Sequence, residues 1–321
     1  MKTRNAAIAL LAGLAMILGV AAQQACAAPT QLRLGTVNVG GTYYIVGTAF
    51  AQTINKVDPS LKVNVEVTGG SVDNLRLLES KNIELGMSTA ILSYYASKGM
   101  NGFKPFDLNV LTAINTGRAH IVVRKDSGIN SIKDMRGKRI STAEPGSATE
   151  VIAVDILKAA GIDPDKDIKR QRINLMDSVD ALADGRCDGF IYQAGIGVPS
   201  IVEITTTSDK AKLIGIESSV IKNMTSQYKY YIATEIPAGV YGNEKTLPSV
   251  GAVNHLLCRA DLPEDVAFKI VSAIFEHRDD WVKAHSSCKE QTLQTATMGA
   301  SVPVHPGAIR YYKSKGVWKQ K

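Results

Sequence analysis

The sequence predicts an α/β fold in which two lobes face each other across a cleft. Strand-like and helix-like segments alternate along most of the chain, as is typical of α/β proteins. The order of strand, glycine-containing turn and helix occurs twice, once near the N-terminus and once near the middle of the chain. The chain has 321 residues, which is more than one ordinary hydrophobic core accommodates, and so two lobes are expected.

The elements of the first half follow from the spacing of apolar residues. Residues 32–35 predict a strand, residues 44–56 a helix with one apolar face, and residues 62–68 a strand in which every second side chain is apolar. Ser71 is placed to cap a second helix, and residues 83–88 predict the next strand.

The second half repeats this order of elements. The tripeptide Ser-Val-Asp begins a predicted helix at Ser71 and again at Ser178. Ligands of open α/β sheets bind beyond the carboxyl ends of the strands, and the glycine turns lie there in both halves. The predicted elements of the second half are strands at 139–141, 169–173 and 189–192 and helices at 149–160 and from Ser178 onward.

Two connections are expected between the lobes. Residues 109–124 form a long apolar run that suits a crossing strand, and residues 228–234 suit the return crossing. We therefore assign residues 28–117 to lobe 1, residues 118–230 to lobe 2, and residues 231–321 to the hinge return and the rest of lobe 1. Two further helices, predicted to begin at Glu264 and Pro306, complete lobe 1.

Residues 1–27 predict a secretory signal peptide. Lys2 and Arg4 form a basic start, residues 5–22 are almost wholly apolar, and small residues around Ala27 suit cleavage. The apolar run is short for a membrane span, and no second run of that kind follows. We therefore expect a periplasmic protein that is cleaved near Ala27 and does not span the membrane afterwards.

Composition and motifs argue against several functions. The net charge is +7, but the basic residues are scattered rather than grouped as in a nucleic-acid groove. The five histidines lack metal-binding spacing, and no nucleophile elbow, phosphate loop or complete dinucleotide motif occurs. We therefore expect no metal, no cofactor, no nucleic-acid partner and no enzymatic activity. Cys187, Cys258 and Cys288 are expected as free thiols, although pairing of Cys258 with Cys288 stays open.

The two glycine-containing turns, at residues 36–44 and 141–149, carry the binding hypothesis. Glycine lets the backbone approach a ligand closely, and the neighbouring hydroxyls donate hydrogen bonds. The helix that follows each turn presents unpaired N–H groups and a partial positive charge, which suit an anion. Two such turns, one from each lobe, would form a clamp for a small anionic molecule.

Four short segments occur in order along nearly the whole mature chain: GGTYY at 40–44, TGGSVDN at 68–74, DGFIYQAGIGVP at 188–199 and HPGAIRY at 305–311. Together they resemble the TAXI family of TRAP-transporter substrate-binding proteins. The resemblance implies a two-lobe periplasmic-binding-protein fold of the type II-like kind, with a hinge and an interlobe cleft. It implies capture of a small acidic solute, such as glutamate, glutamine or a 2-oxoglutarate-like dicarboxylate. Delivery would be to TRAP membrane subunits, with the small and large subunits fused.

With this resemblance, a set of ligand-binding residues is expected from each lobe. The alternative is the solute-binding protein of an ATP-driven ABC importer, and behind it stand a periplasmic enzyme and a sensory module on the same fold. Ala148 replaces the family's glycine, which restricts the backbone and leaves the ligand's identity open. Arg118 either binds a carboxylate of the ligand or is a surface or hinge arginine. The expected ligand-binding residues are Gly41, Thr42, Tyr43, Ser71, Asn74 and Thr89 in lobe 1 and Gly146, Ser147, Thr149, Gln193 and Gly195 in lobe 2.

Overall fold

A computed structural model of the protein describes residues 28–318, apart from residues 38, 40, 41, 146 and 209. The predicted signal peptide therefore lies outside the described residues, and so do two predicted site glycines, Gly41 and Gly146. No helix among the described residues is long and apolar enough to cross a membrane.

The first part of the chain forms parallel strands with helices between them. The buried side chains of α1 recur at Val46, Phe50 and Ile54, which places one apolar stripe on the sheet. The strand predicted at 62–68 ends at Glu66, and Val67 is exposed. The elements are β1 (Thr30–Gly35), α1 (Thr42–Val57), β2 (Leu61–Glu66), α2 (Ser71–Glu79), β3 (Leu85–Thr89) and α3 (Ala90–Lys98).

The middle of the chain forms the second lobe on a similar plan. Parallel pairing of β5 with β6 and of β5 with β7 matches the repeat predicted from the sequence. A short 3-10 helix at Ile132–Met135 and a π-helical turn at Glu203–Thr207 lie between the main elements. These are β4 (Leu108–Arg124), β5 (Arg139–Ser141), α4 (Ala148–Ala159), β6 (Lys169–Gln171), α5 (Leu175–Ala183), β7 (Gly189–Ala194), α6 (Pro199–Val202), β8 (Ala211–Ile214), α7 (Ser218–Gln227) and β9 (Ile232–Ile236).

The last part of the chain returns to the first lobe. Trp281 packs edge-on against Phe50 of α1, with ring centroids 4.9 Å apart, and the Tyr312 hydroxyl donates to the Leu111 carbonyl at 2.7 Å. The C-terminal segment therefore completes the core of lobe 1. Its elements are β10 (Leu247–Arg259), α8 (Glu264–Glu276), α9 (Arg278–Trp281), a 3-10 helix at Ser286–Glu290 and α10 (Pro306–Ser314).

Within the described residues the strands form one continuous curled sheet in the order β2-β1-β3-β10-β4-β7-β5-β6, with β8 beside β4 and β9 beside β10. The long strands β4 and β10 run antiparallel and pass from one lobe to the other. β4 pairs with β10 in its first part and with β7 and β8 toward its end. The crossing predicted at 109–124 is therefore β4.

The return crossing is β10. Residues 228–234, where the sequence predicts this crossing, comprise the segment between α7 and β9 and the first residues of β9. The prediction missed β10 because Pro248, Ser249 and Gly251 interrupt its apolar pattern, although Ser249 is 1% exposed and its hydroxyl donates to the Ala119 carbonyl. The boundaries proposed for the two lobes stay a prediction.

The two crossing strands approach each other closely at a pair of glycines. Gly117 of β4 lies opposite Ala252, and Gly251 of β10 lies opposite Arg118. A Cβ atom placed on Gly251 would lie 2.5 Å from the Gly117 carbonyl oxygen, which is too short for a real contact. The strands can keep this spacing only because position 251 carries no side chain.

A cluster of tyrosines connects α3 of lobe 1 with the second lobe. The rings of Tyr94 and Tyr230 lie 5.4 Å apart between centroids, and Tyr231 donates its hydroxyl to Asp155 of α4 at 2.6 Å. The packed rings therefore link helices of both lobes. The members of this tyrosine cluster are Tyr94, Tyr95, Tyr228, Tyr230 and Tyr231.

The three cysteines of the described region are buried and free, and Cys258 and Cys288 form no disulfide. Burial raises the pKa of all three thiols.

Replacing Gly251 by alanine should destabilise the protein. The added methyl group must push β10 away from the Gly117 carbonyl, and overpacking of this kind costs about 1–3 kcal/mol. The free energy of unfolding is measured by urea denaturation, together with its dependence on the urea concentration. An unfolding free energy equal to that of the wild type would contradict the close strand contact.

Candidate functional site

A cavity of about 550 Å³ lies where the carboxyl ends of strands from both lobes meet. Lobe 1 supplies the ends of β1 and β3 and the starts of α1 and α2, and lobe 2 supplies the start of α4 and the end of β7. Asn115 of β4 and Asn254 of β10 line it from the crossing strands. The predicted site residues that line the cavity are Thr42, Tyr43, Ser71, Thr89, Ser147, Thr149, Gln193 and Gly195.

Four helices begin at this cavity, and their N-termini are its main electrostatic feature. α1 begins at Thr42 and α2 at Ser71, while Thr89 and Ser147 are the N-caps of α3 and α4. The Thr89 hydroxyl accepts from the Leu92 amide at 3.2 Å, and the Ser147 hydroxyl accepts from the Glu150 amide at 3.0 Å. Helix N-termini carry unpaired amide hydrogens and a partial positive charge, so the cavity favours an anion.

Ser71 is not the helix cap that the sequence predicts. The N-cap of α2 is Gly70, whose φ of 100° lies in the left-handed region that favours glycine. Ser71 is the first residue of the helix, and its hydroxyl lies 3.4 Å from the Tyr43 hydroxyl. The Ser71 hydroxyl therefore lines the cavity and donates to Tyr43 instead of capping α2.

Tyr43 connects Ser71 to the floor of the cavity. Its hydroxyl donates to the Asn254 side-chain oxygen at 2.8 Å, and the Asn254 amide donates to Asn115 at 2.9 Å. Burial raises the pKa of Tyr43, so the phenol stays protonated and acts as a hydrogen-bond donor. This chain of polar groups runs from α2 across both crossing strands.

Asn74 does not line the cavity, which corrects its prediction as a ligand contact. Its side chain is 0% exposed, and its amide nitrogen donates to the carbonyls of Thr36 at 2.7 Å and Met87 at 2.8 Å. Its side-chain oxygen accepts from the Thr68 hydroxyl at 2.7 Å. Asn74 therefore fastens the ends of β1 and β3 and the turn before α2, and it supports the site from beneath.

Gln193 brings an unpaired polar atom to the lobe 2 side of the cavity. Its side-chain oxygen is buried and has no hydrogen-bond partner among the described residues, and its nitrogen lies 3.5 Å from the Gly117 carbonyl. A Cβ atom on Gly117 would lie 2.8 Å from that nitrogen. The glycine of the crossing strand thus makes room for the Gln193 side chain, whose buried oxygen has no partner among the described residues.

Tyr241 and His120 hold the loop that follows Gln193 and Gly195. The Tyr241 hydroxyl accepts from the amides of Gly197 at 2.8 Å and Val198 at 3.1 Å, and it donates to Nε2 of His120 at 2.9 Å. Nδ1 of His120 donates to the Arg118 carbonyl at 3.0 Å. Burial lowers the pKa of His120 to about 4, consistent with a neutral ring that accepts from the tyrosine.

Arg118 does not line the cavity. Its guanidinium pairs with Glu290 at 2.8 Å and donates to the Thr234 hydroxyl at 3.2 Å. It therefore joins β4, β9 and the C-terminal segment, in agreement with the hinge-arginine alternative.

Sequence reasoning missed two charged residues of the cavity. Arg76 of α2 lines it from lobe 1, and Glu144, in the turn before α4, lines it from lobe 2. Arg76 follows Val72 by four residues and so shares its helix face, which is the signal that could have identified it. No comparable pattern marks Glu144.

A sequence model of the NMT1-like family matches residues 34–316. This chain belongs to the NMT1-like family. The match includes every described residue that lines the cavity, so the site lies in the part of the chain that defines the family.

Two solved structures are similar in fold to this NMT1-like protein. SsuA of Methylobacillus flagellatus KT, described as the periplasmic sulfonate-binding protein of a sulfonate ABC transporter, is 18% identical over 90% of this chain and 88% of its own, with a TM-score of 0.52. A binding protein component of an ABC phosphonate transporter from Pseudomonas aeruginosa is 11% identical over 81% of this chain and 79% of its own, with a TM-score of 0.51. The periplasmic-binding-protein fold expected from the sequence is confirmed. The narrower TAXI assignment is not confirmed and stays a prediction.

Replacing Asn74 by alanine should cost several kcal/mol of stability. It removes three buried hydrogen bonds, each worth about 0.5–1.5 kcal/mol, although the Thr36 carbonyl still accepts from the Thr68 hydroxyl at 3.0 Å. The matched control is Asn64→Ala, because Asn64 is exposed and makes one side-chain contact, at 3.3 Å. Urea unfolding should place the control within about 0.5 kcal/mol of the wild type. Equal losses in both variants would show that Asn74 has no special supporting role.

Acidification should remove the stability that neutral His120 provides. The pKa of this histidine is about 4 in the folded protein, below its ordinary value of 6.5, so the unfolded chain takes up the proton first. Its contribution is complete above pH ~6.5 and is lost as the pH falls toward 4, by up to about 3 kcal/mol. In His120→Gln the unfolding free energy should therefore fall less steeply over this interval. If the unfolding free energy of His120→Gln falls with pH as steeply as that of the wild type, the prediction is wrong.

Proposed function

We propose that this protein is an extracytoplasmic receptor that captures a small anionic solute and delivers it to a membrane importer. The observation that carries the proposal is the convergence of four helix N-termini, from both lobes, on one cavity. The cavity volume of about 550 Å³ suits a small organic molecule. The predicted signal peptide supports a periplasmic location.

Both lobes are needed to hold the solute. A micromolar dissociation constant corresponds to about 8 kcal/mol, whereas one helix N-terminus contributes at most ~2 kcal/mol. Ser71 and Tyr43 act from lobe 1, and Ser147, Thr149 and Gln193 act from lobe 2. Closure of the lobes about β4 and β10 would bring these groups together and exclude water, and the closed form would be the one that the membrane partner recognises.

A receptor fits the lining better than an enzyme does. Among the described lining residues there is neither a histidine nor a cysteine, and the carboxylate at the cavity, Glu144, has no second acidic residue beside it in the lining. The groups present donate and accept hydrogen bonds, which serves binding rather than nucleophilic or acid–base chemistry.

The importer is proposed to be of the ABC type. The two similar structures belong to ABC transporters, according to their descriptions, and this favours the alternative weighed from the sequence. Their described ligands, a sulfonate and a phosphonate, share with the expected dicarboxylates an anionic group that helix N-termini can bind. The TRAP assignment rests on the TAXI resemblance alone. An ATPase gene beside this one would support the ABC reading, and a large fused membrane subunit would support TRAP.

Replacing Ser71 by alanine should weaken solute binding about five- to ten-fold, which corresponds to one hydrogen bond of about 1 kcal/mol. Native mass spectrometry should first detect one solute per chain, and calorimetry with alkanesulfonates, alkylphosphonates, amino acids and C4–C5 dicarboxylates then measures affinity. The control is Ser226→Ala, at an exposed serine of α7. If no solute of any class binds the wild type, the receptor function is wrong; equal affinities in both variants would remove Ser71 from the site.

A further inference from the structure

Two opposite charges face the cavity from opposite lobes. Arg76 is the cation of the described lining and Glu144 is its anion, and both side chains are exposed to solvent. Neither forms an ion pair with another described residue. Other charged groups nearby do have partners. Glu150 forms ion pairs with Arg170 and Arg172, and the carboxylate of Asp73 accepts a hydrogen bond from the Gly69 amide.

Glu144 belongs to the lobe 2 wall of the cavity. It immediately precedes Pro145 in the turn that leads to Ser147, the cap of α4, and the Ser147 hydroxyl donates to the Glu144 carbonyl at 2.8 Å. Burial raises the pKa of Tyr192, another lining residue, and the negative charge of Glu144 raises it further. Because Glu144 lines the cavity, its carboxylate can act on whatever occupies it.

A solute that carries only negative charge would be attracted by Arg76 but not by Glu144. Its anionic group would be stabilised by Arg76 and by the helix N-termini. When the lobes close, however, Glu144 would be removed from water beside a like charge and without a partner, and both effects are costly. A solute that also carries an ammonium group would convert this cost into an ion pair.

We propose that the solute is zwitterionic, with its anionic group bound on the Arg76 side and its ammonium group paired with Glu144. The inference rests on the proposed receptor function and narrows its solute to aminocarboxylates or aminosulfonates. Arg76 supplies attraction for the anionic end. Glu144 supplies the selection, because it rejects anions that lack an amine as well as attracting those that have one.

The test uses pairs of probes that differ in an amine: taurine with ethanesulfonate, and L-glutamate with glutarate. Calorimetry on the full mature chain should give at least ten-fold tighter binding of the amine-bearing member in any pair that binds. In Glu144→Gln this preference should fall to about two-fold or less. In Arg76→Gln both members should weaken by similar factors, because both carry the anion.

The control is Glu244→Gln, at an exposed glutamate that does not line the cavity, and it should keep the wild-type preference. Thermal unfolding checks that each variant is folded. Equal binding of both members by the wild type, or an unchanged preference in Glu144→Gln, would overturn the inference while leaving the receptor function intact. A co-purified solute without an amine would also overturn it. Failure of every probe together with the absence of any bound solute would overturn the receptor function itself, and the inference with it.

Discussion

The contact between β4 and β10 is the constraint on which the rest of this structure depends. Each strand passes through both lobes, and Gly251 of β10 lies so close to the Gly117 carbonyl of β4 that a side chain at position 251 would not fit. The same register places Asn115 opposite Asn254, whose side chains form the polar floor of the cavity. The geometry that connects the lobes is thus also the geometry that builds the site.

The polar groups around the cavity are of two kinds. Some hold its walls in place through buried hydrogen bonds, and others line its interior. Asn74 ties together the strand ends beneath lobe 1, and Tyr241 with His120 fastens the loop after β7 in lobe 2. Ser71, which donates to Tyr43, and Gln193, whose side-chain oxygen has no partner among the described residues, line the cavity itself. Rigid support beneath the turns and hydrogen-bonding groups in the lining are two parts of one arrangement.

Much of the fold could be predicted because its signals are local. Glycine and hydroxyl residues directly after apolar strands predicted turns whose described residues, such as Thr42, Ser71 and Ser147, line the cavity, since the carboxyl ends of parallel strands meet at one edge. β10 escaped prediction because its buried polar residues, such as Ser249 and His255, find partners only in the folded chain. Asn74 was assigned to the ligand for a related reason: the sequence gives its residue type but not the three partners that surround it.

The tyrosine cluster has a consequence for observing this protein. Each of its five rings packs against at least two others, with centroids 4.7–6.5 Å apart, and they come from α3 on one side and from the segment after α7 on the other. Stacked and edge-on aromatic rings couple their electronic transitions in a way that depends on angle and separation. Any rotation of one lobe against the other that moves these helices therefore alters the near-ultraviolet circular dichroism of the native chain, which makes the protein its own optical reporter of domain movement.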